Sequence, residues 1–121
     1  MPSISVFKAF RIVVERQDFH DRATQTVVQV TGEVDVATSA HLAAVIAQAM
    51  ARAMEKEPAG KVDLVIDLAR LRFIDVSGIS VLVRAARLAR EGGGSLVLRS
   101  PNRSVRRLLD VLRLDAVLAV E

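Results

Sequence analysis

The spacing of hydrophobic positions changes several times along the chain, and each change marks an element. Ile12, Val13 and Val14 sit in a loosely alternating run over residues 10–15. Thr26-Val27-Val28-Gln29-Val30-Thr31 is β-branched and bounded by Gly32. Two such runs around the polar, turn-like residues 17–25 predict a hairpin. Leu42, Val45, Ile46, Ala49 and Ala53 then recur at helical spacing, predicting a helix from about 39 to 55. Thr38 or Ser39 can cap it, and Pro58 with Gly60 stops it. Residues 62–68 form a nearly continuous apolar block, the signature of a central strand covered on both faces.

A short mixed loop follows, ending in Asp75-Val76-Ser77-Gly78. After it, Ile79, Leu82, Val83, Ala86 and Ala89 make one helical stripe, and Val81, Ala85 and Leu88 a second, offset one. Gly92-Gly93-Gly94 ends that helix, and residues 95–98 read as a strand. Ser100 or Asn102 caps a last helix with Val105, Leu108, Leu109 and Leu112 on its apolar stripe. Residues 116–120 close the chain as a strand. The order β-β-α-β-α-β-α-β predicts a single α/β domain over residues 1–121, with a core from about 10 to 120 and a mixed sheet joined by right-handed crossovers.

Composition narrows the chemistry. At 121 residues and 51% hydrophobic, the chain can bury one core without metals or bridges. Aromatics are 3%, so that core is built of Val, Leu, Ile and Ala. With no cysteine there is no disulfide framework, thiol nucleophile or Cys-based zinc site, which fits a reducing compartment. Seventeen basic residues against fourteen acids leave a formal net charge of +3, and there is no Tyr or Trp to stack bases, so the basic residues read as solvated surface and no direct nucleic-acid contact is expected. No secretory pattern opens the chain, and the longest apolar run, residues 42–47, is far below the roughly 20 residues of a membrane helix. The expectation is a cytoplasmic domain without membrane contact.

Ser77 falls where a helix N-cap belongs, beside free backbone N–H groups. A nucleophile elbow would require Gly-x-Ser-x-Gly, but Asp75 stands at the first glycine position, and neither His20 nor His41 is placed as its base. The three glycines follow a helix rather than a strand, so no phosphate loop is present. Asp67 and Asp75 read as a strand-end and a capping residue rather than metal ligands, and no cofactor is expected. Two roles remain for Ser77. It is a cap, the commoner job for serine here, or it is a phosphorylation switch. A phosphoryl group adds about −1.5 to −2 charges and three acceptor oxygens, which could take the N–H groups of Gly78, Ile79 and Ser80 at the positive end of the helix dipole.

Two motifs together resemble the STAS domain of bacterial anti-sigma factor antagonists. Gly32-Glu33-Val34-Asp35-Val36-Ala37-Thr38-Ser39-Ala40-His41-Leu42 is similar to the family's opening motif. Val65-Ile66-Asp67-Leu68 through Phe73-Ile74-Asp75-Val76-Ser77-Gly78-Ile79 is similar to its phosphorylation-site signature. The passage from Ser100-Pro101-Asn102 to Leu109 is similar to its last strand-to-helix connection. The resemblance implies a four- or five-stranded mixed sheet with helices mainly on one face, and a non-enzymatic partner switch. In that family the unphosphorylated protein binds an anti-sigma factor that is a GHKL-type serine kinase, and so frees a sigma factor for transcription. Phosphorylation ends the binding and a PP2C-type phosphatase restores it. By position Ser77 matches the phosphoacceptor and Asp75 the acid before it, while Asp35 and Thr38 match the neighbouring loop. Val76, Gly78 and Val81 complete the expected partner-binding surface, on a monomer or weak dimer. Val76 departs from the serine common at that position. The alternative is a STAS module of a transport, lipid-trafficking or stress-sensing assembly that is not phosphorylated at Ser77.

Overall fold

The computed structural model describes residues 10–19, 22–56 and 61–121. His20 and the expected helix stop at Pro58 and Gly60 lie outside the described residues. Strands β1 (Phe10–Phe19) and β2 (Arg22–Val34) form the expected hairpin. Both are longer than the β-branched runs alone predict, because antiparallel pairing carries polar residues such as Gln17 and Gln25 along with the apolar ones. Helix α1 (Val36–Lys56), β3 (Asp63–Asp67), β4 (Leu71–Ile74), α2 (Val76–Glu91), β5 (Ser95–Arg99), α3 (Arg103–Val111) and β6 (Ala119–Val120) complete the order.

The sheet runs β1-β2-β3-β5-β6, antiparallel in the first pair and parallel thereafter. This is the expected mixed sheet, with one strand added. Residues 71–74, expected as loop, are the short strand β4, which pairs in parallel with the far end of β2. Strand β2 serves both neighbours in turn along its thirteen residues. Its first half pairs with β3, Thr26 opposite Leu64 through Gln29 opposite Asp67. Its far half pairs with β4 from Gly32 opposite Leu71, and the register slips directly after Gly32, whose φ of 100° lies in the left-handed region open to glycine, so that Arg72 is passed over. Beyond the slip, Val34 stands opposite Ile74.

Val28 and Val30 of β2, Leu64 and Ile66 of β3, and Leu96 and Leu98 of β5 point to the same face of the sheet, where α1 and α2 pack side by side. Leu42, Ile46 and Ala49 of α1 meet Leu82, Ala85 and Ala86 of α2 in that core. Each fully buried Leu or Ile there contributes on the order of 1.5–3 kcal/mol. Helix α3 adds Val105 and Leu109 to the same core and lies against β4. Val27 and Val65, on the opposite face, are also buried. The continuous Leu64-Val65-Ile66 block thus behaves as its pattern predicts.

Candidate functional site

The two strands that end side by side, β2 and β4, deliver two similar turns into two helices. Because Val34 pairs with Ile74, Asp35 and Asp75 leave the sheet together, and the Asp75 N–H donates to the Val34 carbonyl (3.0 Å). Each strand end reads apolar-Asp-Val, and each aspartate starts a helix.

At the first turn the Asp35 carboxylate accepts from the Ala37 N–H (3.0 Å), and the Thr38 hydroxyl oxygen accepts from the Asp35 N–H (2.9 Å). This reciprocal capping starts α1 at Val36, three residues before the expected start, with Asp35 as the cap in place of Thr38 or Ser39. Thr38 instead closes the turn on itself, its hydroxyl also lying near the Glu33 carbonyl (3.3 Å).

The second turn corrects the expected role of Ser77. The N-cap of α2 is Asp75, with an extended backbone (φ −103°, ψ −174°) and a carboxylate that accepts from the Gly78 N–H (3.2 Å). A carboxylate is the stronger acceptor and stands at the first non-helical residue, so it takes the cap. Ser77 is the second helical residue, half-buried, and its hydroxyl donates to the Asp75 carboxylate. The N–H groups expected for a phosphate are correspondingly engaged: that of Gly78 by the Asp75 side chain, that of Ile79 by the Asp75 carbonyl (3.0 Å). A phosphoryl group on Ser77 therefore has to compete with Asp75 for the helix end.

The Ser77 hydroxyl holds the Asp75 carboxyl below the ordinary value of 3.8, and the N–H groups of Gly78 and Ser77 act in the same direction. Partial desolvation and the nearby Asp35 charge oppose the shift. Asp75 is thus an anion fixed in place, oriented toward Ser77 on one side and the helix N–H groups on the other.

Gly78 is buried, and its contribution is closeness. A Cβ there would lie 2.6 Å from Ile74 Cγ1 and 2.7 Å from Val34 Cγ1. Only glycine lets α2 start directly against both strand ends. Around this polar centre stand exposed apolar side chains: Val36 is 78% exposed, Val76 60% and Phe73 48%. Val36 and Phe73 were not singled out as surface residues by sequence; the repeated apolar-Asp-Val triplet was the available signal. Val81 lies farther along α2, half-buried on the side facing α1, where it lines a groove with Leu88. Among the described residues no cluster of His, Asp and Glu could hold a metal ion, and no helix is long and apolar enough to cross a membrane.

The chain was compared with known proteins. A family model described as "Mlab, STAS domain" matches residues 18–119. No curated protein sequence matches. Among solved structures, the anti-sigma factor antagonist SpoIIAA in its unphosphorylated form shares 22% identity over 93% of this chain and 88% of its own, with a TM-score of 0.66. The phosphorylated form of this Bacillus cell fate determinant gives 21% identity over 93% and 91%, TM-score 0.61. An anti-sigma factor antagonist from Mycobacterium paratuberculosis gives 24% identity over 91% and 85%, TM-score 0.65. Part of the murine Solute Carrier 26 family member A9 anion transporter is also similar, at 17% identity over 87% of this chain and 18% of the transporter, TM-score 0.60. At these identities the structural likenesses establish a shared fold, an α/β domain with a mixed sheet and three helices. The family match and the fold agree, and the chain belongs to the STAS-domain family.

Proposed function

We propose that this STAS domain is an anti-sigma factor antagonist that works as a partner switch, with Ser77 as the phosphoacceptor. The observation that carries the reading is the Asp75–Ser77 pair at the start of α2, bordered by exposed Val76, Phe73 and Val36. Asp75 acts as a positioning residue: by accepting the Ser77 proton in a hydrogen bond it turns the hydroxyl oxygen toward an incoming kinase. In the transfer, Ser77 Oγ bonds to the γ-phosphorus of ATP, the bond to the β-phosphate oxygen breaks, ADP leaves, and the hydroxyl proton, released from its hydrogen bond to Asp75, passes to a base on the kinase. The product is a dianion beside Asp75 and Asp35. Those two carboxylates repel it, and the N–H groups it could use are already engaged. The phosphate turns outward onto the apolar rim, where a docked partner would have to desolvate it. The partners in this reading are an anti-sigma factor that is a GHKL-type serine kinase and a PP2C-type phosphatase, and the domain itself catalyses nothing.

A second reading has its own support. The Ser77 hydroxyl is already satisfied within the cap, and Val76 adds apolar surface beside it. An unphosphorylated docking module of a transport, lipid-trafficking or stress-sensing assembly would use the same rim without the switch.

The full chain, mixed with a candidate anti-sigma serine kinase and magnesium ATP, is expected to gain one phosphoryl group on the peptide containing Ser77. Ser77→Ala should gain none and still bind the kinase, and Ser77→Asp should lose that binding. A kinase that binds wild type and Ser77→Asp equally, with no phosphate on Ser77, would favour the second reading.

A further inference from the structure

The arginines of this chain are unevenly placed. From Arg84 to Arg113 it carries eight arginines, no lysine, and two acids, Glu91 and Asp110, against a whole-chain formal charge of +3. The rest of the chain is therefore net acidic. Bordering this basic stretch, α2 and the segment after α3 enclose an open groove of about 560 Å³. Its apolar lining is Ile79 and Val83 from α2, with Leu112 and Leu114 from the far side. Arg84 and Arg87 stand at its edge, both exposed. Among the described residues neither guanidinium has a carboxylate at ion-pair distance.

We propose that this groove, which continues along α2 from the Ser77 rim, docks an acidic amphipathic helix of a partner protein. The lining offers what such a helix recognises. Ile79, Val83 and Arg87 are spaced four residues apart, so the wall extends about 12 Å along α2, enough for side chains at i, i+3 or i+4, and i+7 of a bound helix. Apolar anchors fill the floor, and Glu or Asp beside them meet guanidiniums that pair carboxylates through two parallel N–H donors. Nucleic acid fits less well: the floor is aliphatic, and the chain has no Tyr or Trp on which a base could stack. The proposal does not depend on phosphorylation of Ser77.

The probe is a labelled synthetic helical peptide with Leu at i, i+4 and i+7 and Glu at the flanking positions. Titrated into the isotopically labelled full chain, it should shift amide signals of residues 79–87 and 112–114. Replacing its Glu with Gln, or using the Arg84→Glu/Arg87→Glu double variant, should weaken binding by about tenfold or more, with the Arg84→Gln/Arg87→Gln variant in between. The proposal is overturned if the Gln peptide binds as tightly as the Glu peptide, or if the shifts map elsewhere. It is also overturned if a single-stranded oligonucleotide or an anionic vesicle binds this face more tightly than the peptide. Circular dichroism of each variant confirms that the comparison is between folded chains.

Discussion

The hydroxyl of Ser77 and the carboxyl of Asp75 set each other's state. Ser77 donates its proton and lowers the Asp75 pKa, and in return Asp75 fixes where the hydroxyl oxygen points. The sign of the pH effect follows. Asp75 titrates below 3.8 when folded, so the unfolded chain takes up a proton there before the folded one does. Its stabilisation is complete above the unfolded value of about 3.9 and is lost as pH falls through the lowered folded value. Asp75→Asn should therefore be less stable than wild type at pH 7 and pH 5 in thermal melts, with the gap closing below about pH 4. In a carboxyl-carbon titration, Ser77→Ala should move the Asp75 midpoint upward, since it removes the largest cause of the shift. Ala in place of Gly78 would press against Val34 and Ile74, both buried, and should cost about 1–3 kcal/mol in urea denaturation. A variant as stable as wild type would mean that α2 can retreat from the strand ends.

At the scale of elements, the site exists because two strand-to-helix turns are held in register. Strand β2 runs past β3 and pairs with β4 from Gly32 onward, with a register slip directly after Gly32 that sets Val34 opposite Ile74. Strand β4 is short, and its hold on the rest of the fold includes α3: the Asn102 side chain donates to the Leu71 carbonyl (3.0 Å) while accepting from the Val105 N–H (2.8 Å). Asn102 therefore caps α3 and ties it to the strand that carries Asp75. Asn102→Ala should cost about 0.5–2 kcal/mol for the cap alone, and leaves the Leu71 carbonyl without that donor. Asn102→Asp separates the two roles, because it keeps the acceptor and loses the donor. It is expected to be destabilised in urea as well, although Asp caps isolated helices as effectively as Asn. If Asn102→Asp matched wild type, the tether to β4 would carry no weight.

At the scale of the molecule, the proposed switch changes a surface and leaves the fold in place. A negative group at residue 77 sits at the favourable end of the α2 dipole but beside two aspartates, so its effects on folding oppose each other. Ser77→Asp should accordingly stay within about 1 kcal/mol of wild-type stability while its partner binding collapses. The two proposed docking surfaces adjoin along α2. The apolar rim lies at its start, and the arginine-edged groove begins at Ile79 and Ser80 and runs on to Arg87.

Sequence alone determined the parts whose information is local. Continuous apolar residues specify β3, helical spacing specifies α1, α2 and α3, and the three glycines mark the end of α2, because burial and backbone freedom act residue by residue. The Asp75-Val76-Ser77-Gly78 motif also pointed to the site. What it could not supply was anything that depends on pairing between distant segments. Strand β4 was hidden because both of its middle residues, Arg72 and Phe73, are exposed, which erases the period-two signal. The start of α1 at Val36, capped by Asp35 rather than by Thr38 or Ser39, was set by the Asp35 carboxylate and the Thr38 hydroxyl closing the turn on each other's backbone. Only the tertiary structure sets Asp35 beside Asp75, because their neighbours Val34 and Ile74 are paired across forty residues of chain in the parallel β2–β4 ladder.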